Sequence, residues 1–158
     1  MCKRFVFVAV GLLWSLSAAA QSVEKGQSIC YQVQRSMNAM VDYTDTSCLP
    51  ASGKAGALSF VVLSSQPIFS VASLEAAKKA WLLAVVAVVG KSLNDQPSIK
   101  TDELWLSDAN LIKSRVGYVF PTSLAKSLQH QVYDAQIDLE EMYTAVQKNL
   151  VRRQLPKK

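Results

Sequence analysis

"DELWLSDANLIKSRVGYVF", residues 102–120, decides the fold class. Successive side chains of a strand point to opposite faces, so Leu104 and Leu106 share one face. Ser107 to Asn110 supplies turn-forming residues. In the return run Ile112, Val116, Tyr118 and Phe120 fall on one face, while Lys113 and Arg115 point away. One packed face and one wet face is the pattern of an antiparallel hairpin. Trp105 falls on the pleat opposite Leu104 and Leu106. On that wetter side it would anchor a partner, unless another helix covers it.

Pro121 stops the hairpin, and Thr122 or Ser123 is placed to cap a helix. Leu124, Leu128, Val132, Ala135, Leu139, Met142, Val146 and Leu150 then recur at spacings of three and four. The spacing predicts a single helix from Ser123 to Arg153, about 46 Å long. A compact domain of this chain length is roughly 37 Å wide. The helix would therefore overhang, with an apolar stripe that reaches another chain or frays. Met142, Tyr143, Val146, Leu150, Arg152 and Arg153, together with Trp105, are the expected partner-binding residues. Tyrosine and arginine are enriched at interface hot spots.

Upstream, "ALSFVVLSS" (57–65) reads as a largely buried strand, with Leu58, Phe60 and Val62 alternating against Ser59, Val61 and Leu63. "PASGKAG" (50–56) before it reads as a loop. Pro67 ends the strand, and Ser73 caps a helix in which Leu74, Lys78, Trp81, Leu82, Val85, Val86 and Val89 keep helical spacing. That helix is apolar nearly all round after Lys79, so it belongs at the centre. Gly90 and "NDQPS" (94–98) end it. Residues 22–43 form a first helix, striped by Ile29, Val33, Met37, Met40 and Val41. The order α-β-α-β-β-α predicts a single small α+β domain. It has a short antiparallel sheet packed by helices, and a long C-terminal helix.

Residues 30–48, "CYQVQRSMNAMVDYTDTSC", hold two of the three cysteines. From Cys30 the helix runs roughly 18 Å to Asp42. The six steps back to Cys48 span up to about 20 Å. The chain can therefore double back as an extended strap and close a Cys30–Cys48 bridge of structural role. A redox pair would sit closer in sequence.

A bridge needs an oxidising compartment, and the N-terminus fits export. Lys3 and Arg4 precede the apolar run Phe5 to Leu16, and Ala18-Ala19-Ala20 offers a cleavage site before Gln21. The run is shorter than a membrane span, and Cys2 precedes it, unlike a lipid-modified cysteine. Residues 1–20 are thus expected as a cleaved signal peptide, 21–153 as the domain and 154–158 as a basic tail. The protein would be periplasmic or secreted, with no transmembrane span in the mature chain. Lys3 and Arg4 carry two of the +5 formal charges, and Arg152, Arg153, Lys157 and Lys158 four more, which leaves the body near −1. A broad nucleic-acid surface is excluded; the tail offers at most weak membrane-surface contact.

Catalytic signatures are sparse. The single histidine, His130, forms an i, i+4, i+8 row with Asp134 and Asp138 on the expected long helix. Two carboxylates and one imidazole do not complete a zinc site. No Gly-x-Ser-x-Gly accompanies His130, and the six glycines form no phosphate loop. The sequence calls for no cofactor, no metal and no catalytic residue. Its reading is an exported, non-catalytic interaction protein: an accessory subunit, adaptor or inhibitor-like module. The partner would be another envelope or exported protein, or a second copy meeting through the C-terminal helix. A carrier of an apolar ligand or lipid is the alternative, and a hydrolase using His130 comes third.

Overall fold

The computed structural model describes the backbone of residues 3–155 and the side chains of residues 22–155. Helix α1 is Lys3–Met40. Strand β1 (Thr46–Ser52) doubles back along it and pairs antiparallel with β2 (Leu58–Ser64). Helix α2 (Glu75–Asn94) crosses to β3 (Thr101–Asp108), which lies parallel to β2. Strand β4 (Val116–Pro121) returns antiparallel. Helices α3 (Thr122–Tyr133) and α4 (Leu139–Asn149) follow, and β5 (Val151–Gln154) pairs antiparallel with β4. The sheet order is β1-β2-β3-β4-β5. The α+β class and the single small domain stand. The expected signal segment, residues 1–20, and the tail beyond Leu155 lie outside the described side chains.

The sheet is mixed rather than antiparallel. A helical crossover returns the chain in the same direction, so α2 sets β2 and β3 parallel. The hairpin forms, but its turn comes later than expected: Ser107 and Asp108 still belong to β3, and Ile112, expected in the return strand, stands in the 3-10 turn Leu111–Ser114. Helix α2 runs through Gly90, which is buried, because the chain there meets α3: a Cβ at Gly90 would lie 2.4 Å from the Ala125 carbonyl oxygen.

The long last helix does not exist. Helix α3 ends at Tyr133, and Ala135 takes a left-handed backbone. The carboxylate of Asp138 accepts the Glu141 amide at 2.8 Å, and Glu141 accepts the Asp138 amide at 2.9 Å. This reciprocal cap starts a new helix. The apolar period crossed the break because Ala135 and Leu139 happen to stand on it; both are exposed. The segment after Leu150 is strand β5, not helix.

All helices lie on one face of the sheet. Phe60, Val62, Leu104, Leu106 and Phe120 join Ile29, Val33, Met37, Trp81, Val85 and Val86 in one buried cluster. Its polar members are bonded: the Trp81 indole N–H donates to Thr46 Oγ1 at 3.0 Å. The Cys30–Cys48 bridge is present, with Cα atoms 5.0 Å apart. It ties α1 to β1, the strap expected from the sequence. Among the described residues no helix is long and apolar enough to cross a membrane.

Candidate binding face

The face of the sheet away from the helices is not polar. Strand register brings Leu49 opposite Val61, Val61 beside Trp105, Trp105 opposite Val119, and Val119 opposite Val151. Paired residues share a face, so each strand contributes one apolar side chain to a row across the whole sheet. Trp105 and Val119 are nearly covered, whereas Leu49 is 58% and Val151 49% exposed. The row is therefore buried in its middle and open at its two ends.

Part of the cover is Leu155, the residue after β5. The Leu155 amide donates to the Arg115 carbonyl at 2.8 Å. At Gly117 a Cβ would meet the Leu155 side chain at 3.4 Å and the Trp105 ring at 3.5 Å. Glycine there leaves room for Leu155 and Trp105 to close over the same point. Beside this lid lies a groove of about 890 Å³, lined by Leu49, Val61, Leu63, Trp105, Ile112 and Leu155, with Lys54, Asp102, Glu103 and Arg115 among its polar residues. Drug-sized ligand sites fall in the same volume range.

The expected partner surface is dispersed. Met142 and Val146, 1% and 0% exposed, face α2 as ordinary core. Tyr143 is buried beside them; its hydroxyl donates to Glu75 Oε1 at 3.3 Å, and Lys79 stands 5.2 Å from its ring centre while pairing with Glu140. Burial holds the Tyr143 phenol above its usual pKa. Leu150 is half-buried against the same cluster. Arg152 and Arg153 are exposed on β5, and Arg153 reaches Glu103 at 3.4 Å. Trp105 points to the opposite side of the sheet. The cause is the break at residues 134–138, which folds α4 back onto α2 and removes the overhang.

His130 and Asp134 do pair, at 3.2 Å on the exposed side of α3. Asp138 belongs to the α4 cap instead, so the expected row of three does not form. Among the described residues no group of three or more His, Cys, Asp or Glu side chains could hold a metal ion. A second hollow of about 450 Å³ is lined by Gln34, Asn38, Thr46, Ser64 and Asp108. Its buried carboxylate, Asp108, accepts the amides of Phe69, Asn110 and Leu111 at 2.8–2.9 Å. Those bonds hold two loops in place, which accounts for a buried acid without chemistry.

Sequence reasoning identified Trp105 on this face but missed Leu49, Val61, Leu63, Val119, Val151 and Leu155. One signal was present: Val61 and Leu63 break the polar side of the alternation in β2. A strand apolar on both faces in a two-layer fold leaves one apolar face without helices. Comparison with protein-family models, with curated proteins and with solved structures found no match.

Proposed function

We propose that the protein is a periplasmic or secreted, non-catalytic interaction protein that presents the helix-free face of its sheet to another exported protein. The observation that carries this reading is the apolar row Leu49–Val61–Trp105–Val119–Val151, open at both ends beside the groove. At the β1 end exposed Leu49 adjoins half-buried Val61 and Leu63 along the groove, and exposed apolar patches of this kind mark interaction sites. The disulfide fits an oxidising compartment, where the partner would be met. The test is a photo-crosslinking residue placed at Leu49 and, as control, at Ser127 on the helical side. Capture of one defined exported protein from Leu49 alone supports the reading. Identical capture from both positions overturns it.

The groove volume also suits a carrier of an apolar small ligand. Native mass spectrometry separates the two readings. A bound apolar molecule lost in Val61→Glu would give the groove to the carrier.

A further inference from the structure

The two edges of the sheet are treated differently. At β1, helix α1 covers the edge. The Thr46 amide donates to Asn38 Oδ1 at 2.7 Å, Asn38 Nδ2 donates back to the Thr46 carbonyl at 3.3 Å, and the Cys48 amide donates to Gln34 Oε1 at 3.4 Å. At β5, no further strand follows in the sheet among the described residues, and all four residues of β5 are exposed. Leu155 turns its amide toward β4, to Arg115. Alternate residues of an antiparallel strand direct their backbone groups to the same side. Arg153 and Val151 therefore also face β4, and the N–H and C=O groups of Arg152 and Gln154 face outward. Unpaired edge groups are a template for another strand.

We propose that β5 receives an extended acidic segment of a partner protein as a sixth strand. This rests on the reading that the partner is a protein, and adds how it enters. Two observations choose the occupant. First, β5 carries Arg152 and Arg153, one on each face, with Lys148 just before it in α4. A second copy is a poor occupant. In either two-fold antiparallel register that pairs the outward groups of Arg152 with those of Arg152 or Gln154 in the copy, an arginine stands opposite its own copy, and like charges directly opposite are destabilising. Acidic side chains on an incoming strand meet both arginines instead. Second, the apolar row runs off the sheet at Val151. A strand with an apolar residue at that register and acidic residues beside it continues the row. Main-chain bonds to Arg152 and Gln154 supply binding, and the side-chain alternation supplies selectivity.

The test is selection of random eight-residue segments, displayed on phage, against the intact disulfide-bonded chain. The expected result is enrichment of segments in which two successive Asp or Glu residues adjoin an apolar residue, to meet Arg152, Arg153 and Val151 in turn. Their affinity should fall at least tenfold in R152E, which leaves the Arg153–Glu103 pair in place, and further in R152E/R153E. Amide exchange should slow at Arg152 and Gln154 on binding. Several results overturn the proposal: no acidic enrichment, acidic segments that keep their affinity for R152E/R153E, unchanged exchange at those amides, or a concentration-dependent dimer of the free chain. Capture at Leu49 that persists unchanged in R152E/R153E would remove the edge proposal and leave the wider function standing.

Discussion

Ala135 closes α3 with φ at 54°, a backbone that alanine seldom adopts. The Gln136 amide donates to the Gln131 carbonyl at 2.8 Å and the Ala135 amide to that of Val132 at 3.1 Å, the two bonds of a left-handed helix end. Glycine is the usual residue there. An L-residue in this conformation costs about 1–2 kcal/mol, so Ala135→Gly is expected to raise stability by about 1 kcal/mol in a urea melt. Gly90 is the reverse case. Any Cβ collides with the Ala125 backbone, so Gly90→Ala must part α2 from α3. Overpacking of this kind costs about 1–3 kcal/mol, which the same melt would show as a loss. Tyr143 gives a pH signature. Its phenol is held above the ordinary value chiefly by burial, with Glu75 adding to the rise. The neutral phenol is thus the folded form. Its contribution is complete below the unfolded value near 10 and is lost as pH rises through the higher folded value. Melts between pH 8 and 11 should show stability falling at the alkaline end, and Tyr143→Phe should reduce that fall.

At the scale of elements, β1 is held by three contacts from one side of α1. Cys30, Gln34 and Asn38 stand four residues apart, and all three reach β1. The bridge closes a separation of 18 residues. Its loss through Cys48→Ser is expected to cost about 2–5 kcal/mol. Asn38→Ala leaves the bridge but removes two bonds at Thr46, for about 1–3 kcal/mol; thermal melts under non-reducing conditions rank the two. The cysteine pair was legible because chain geometry alone decides whether it can close. The amides were not, since Gln34 and Asn38 look like any solvated helix residue. Helix α2 and the 102–120 hairpin were legible from strong local periodicity. The α3–α4 break was hidden because alanine fills the position that glycine normally announces, although Asp138 and Glu141 stood three apart as a capping box requires. Strand β5 was hidden for a different reason. "VRRQ" has no apolar alternation, and only pairing with β4 makes it a strand.

For the whole molecule, the decisive contrast is between its two apolar surfaces. One is the interior between helices and sheet, to which Val146 belongs. The other is the helix-free face, where Leu49 and Val151 mark the open ends of the cross-sheet row. Both surfaces look alike in sequence, as apolar residues at regular spacing, and only topology separates them. Substitution by aspartate separates them experimentally. Val146→Asp places an unpaired carboxylate at a fully buried position and is expected to cost more than about 3 kcal/mol. It should collapse the melt whether or not a partner exists. Leu49→Asp puts the same charge on a side chain that is already more than half exposed. Its effect on stability should stay within about 1 kcal/mol, near the range for surface changes. Its effect on assembly should be large, because the charge stands at the mouth of the groove. A melt of each variant beside photo-crosslinking through a probe at Val61 provides the comparison. If Leu49→Asp melts like the wild type and no longer captures protein, the helix-free face is the working surface. A variant that melts normally and captures as before would show that this face only shields Trp105 and Val119.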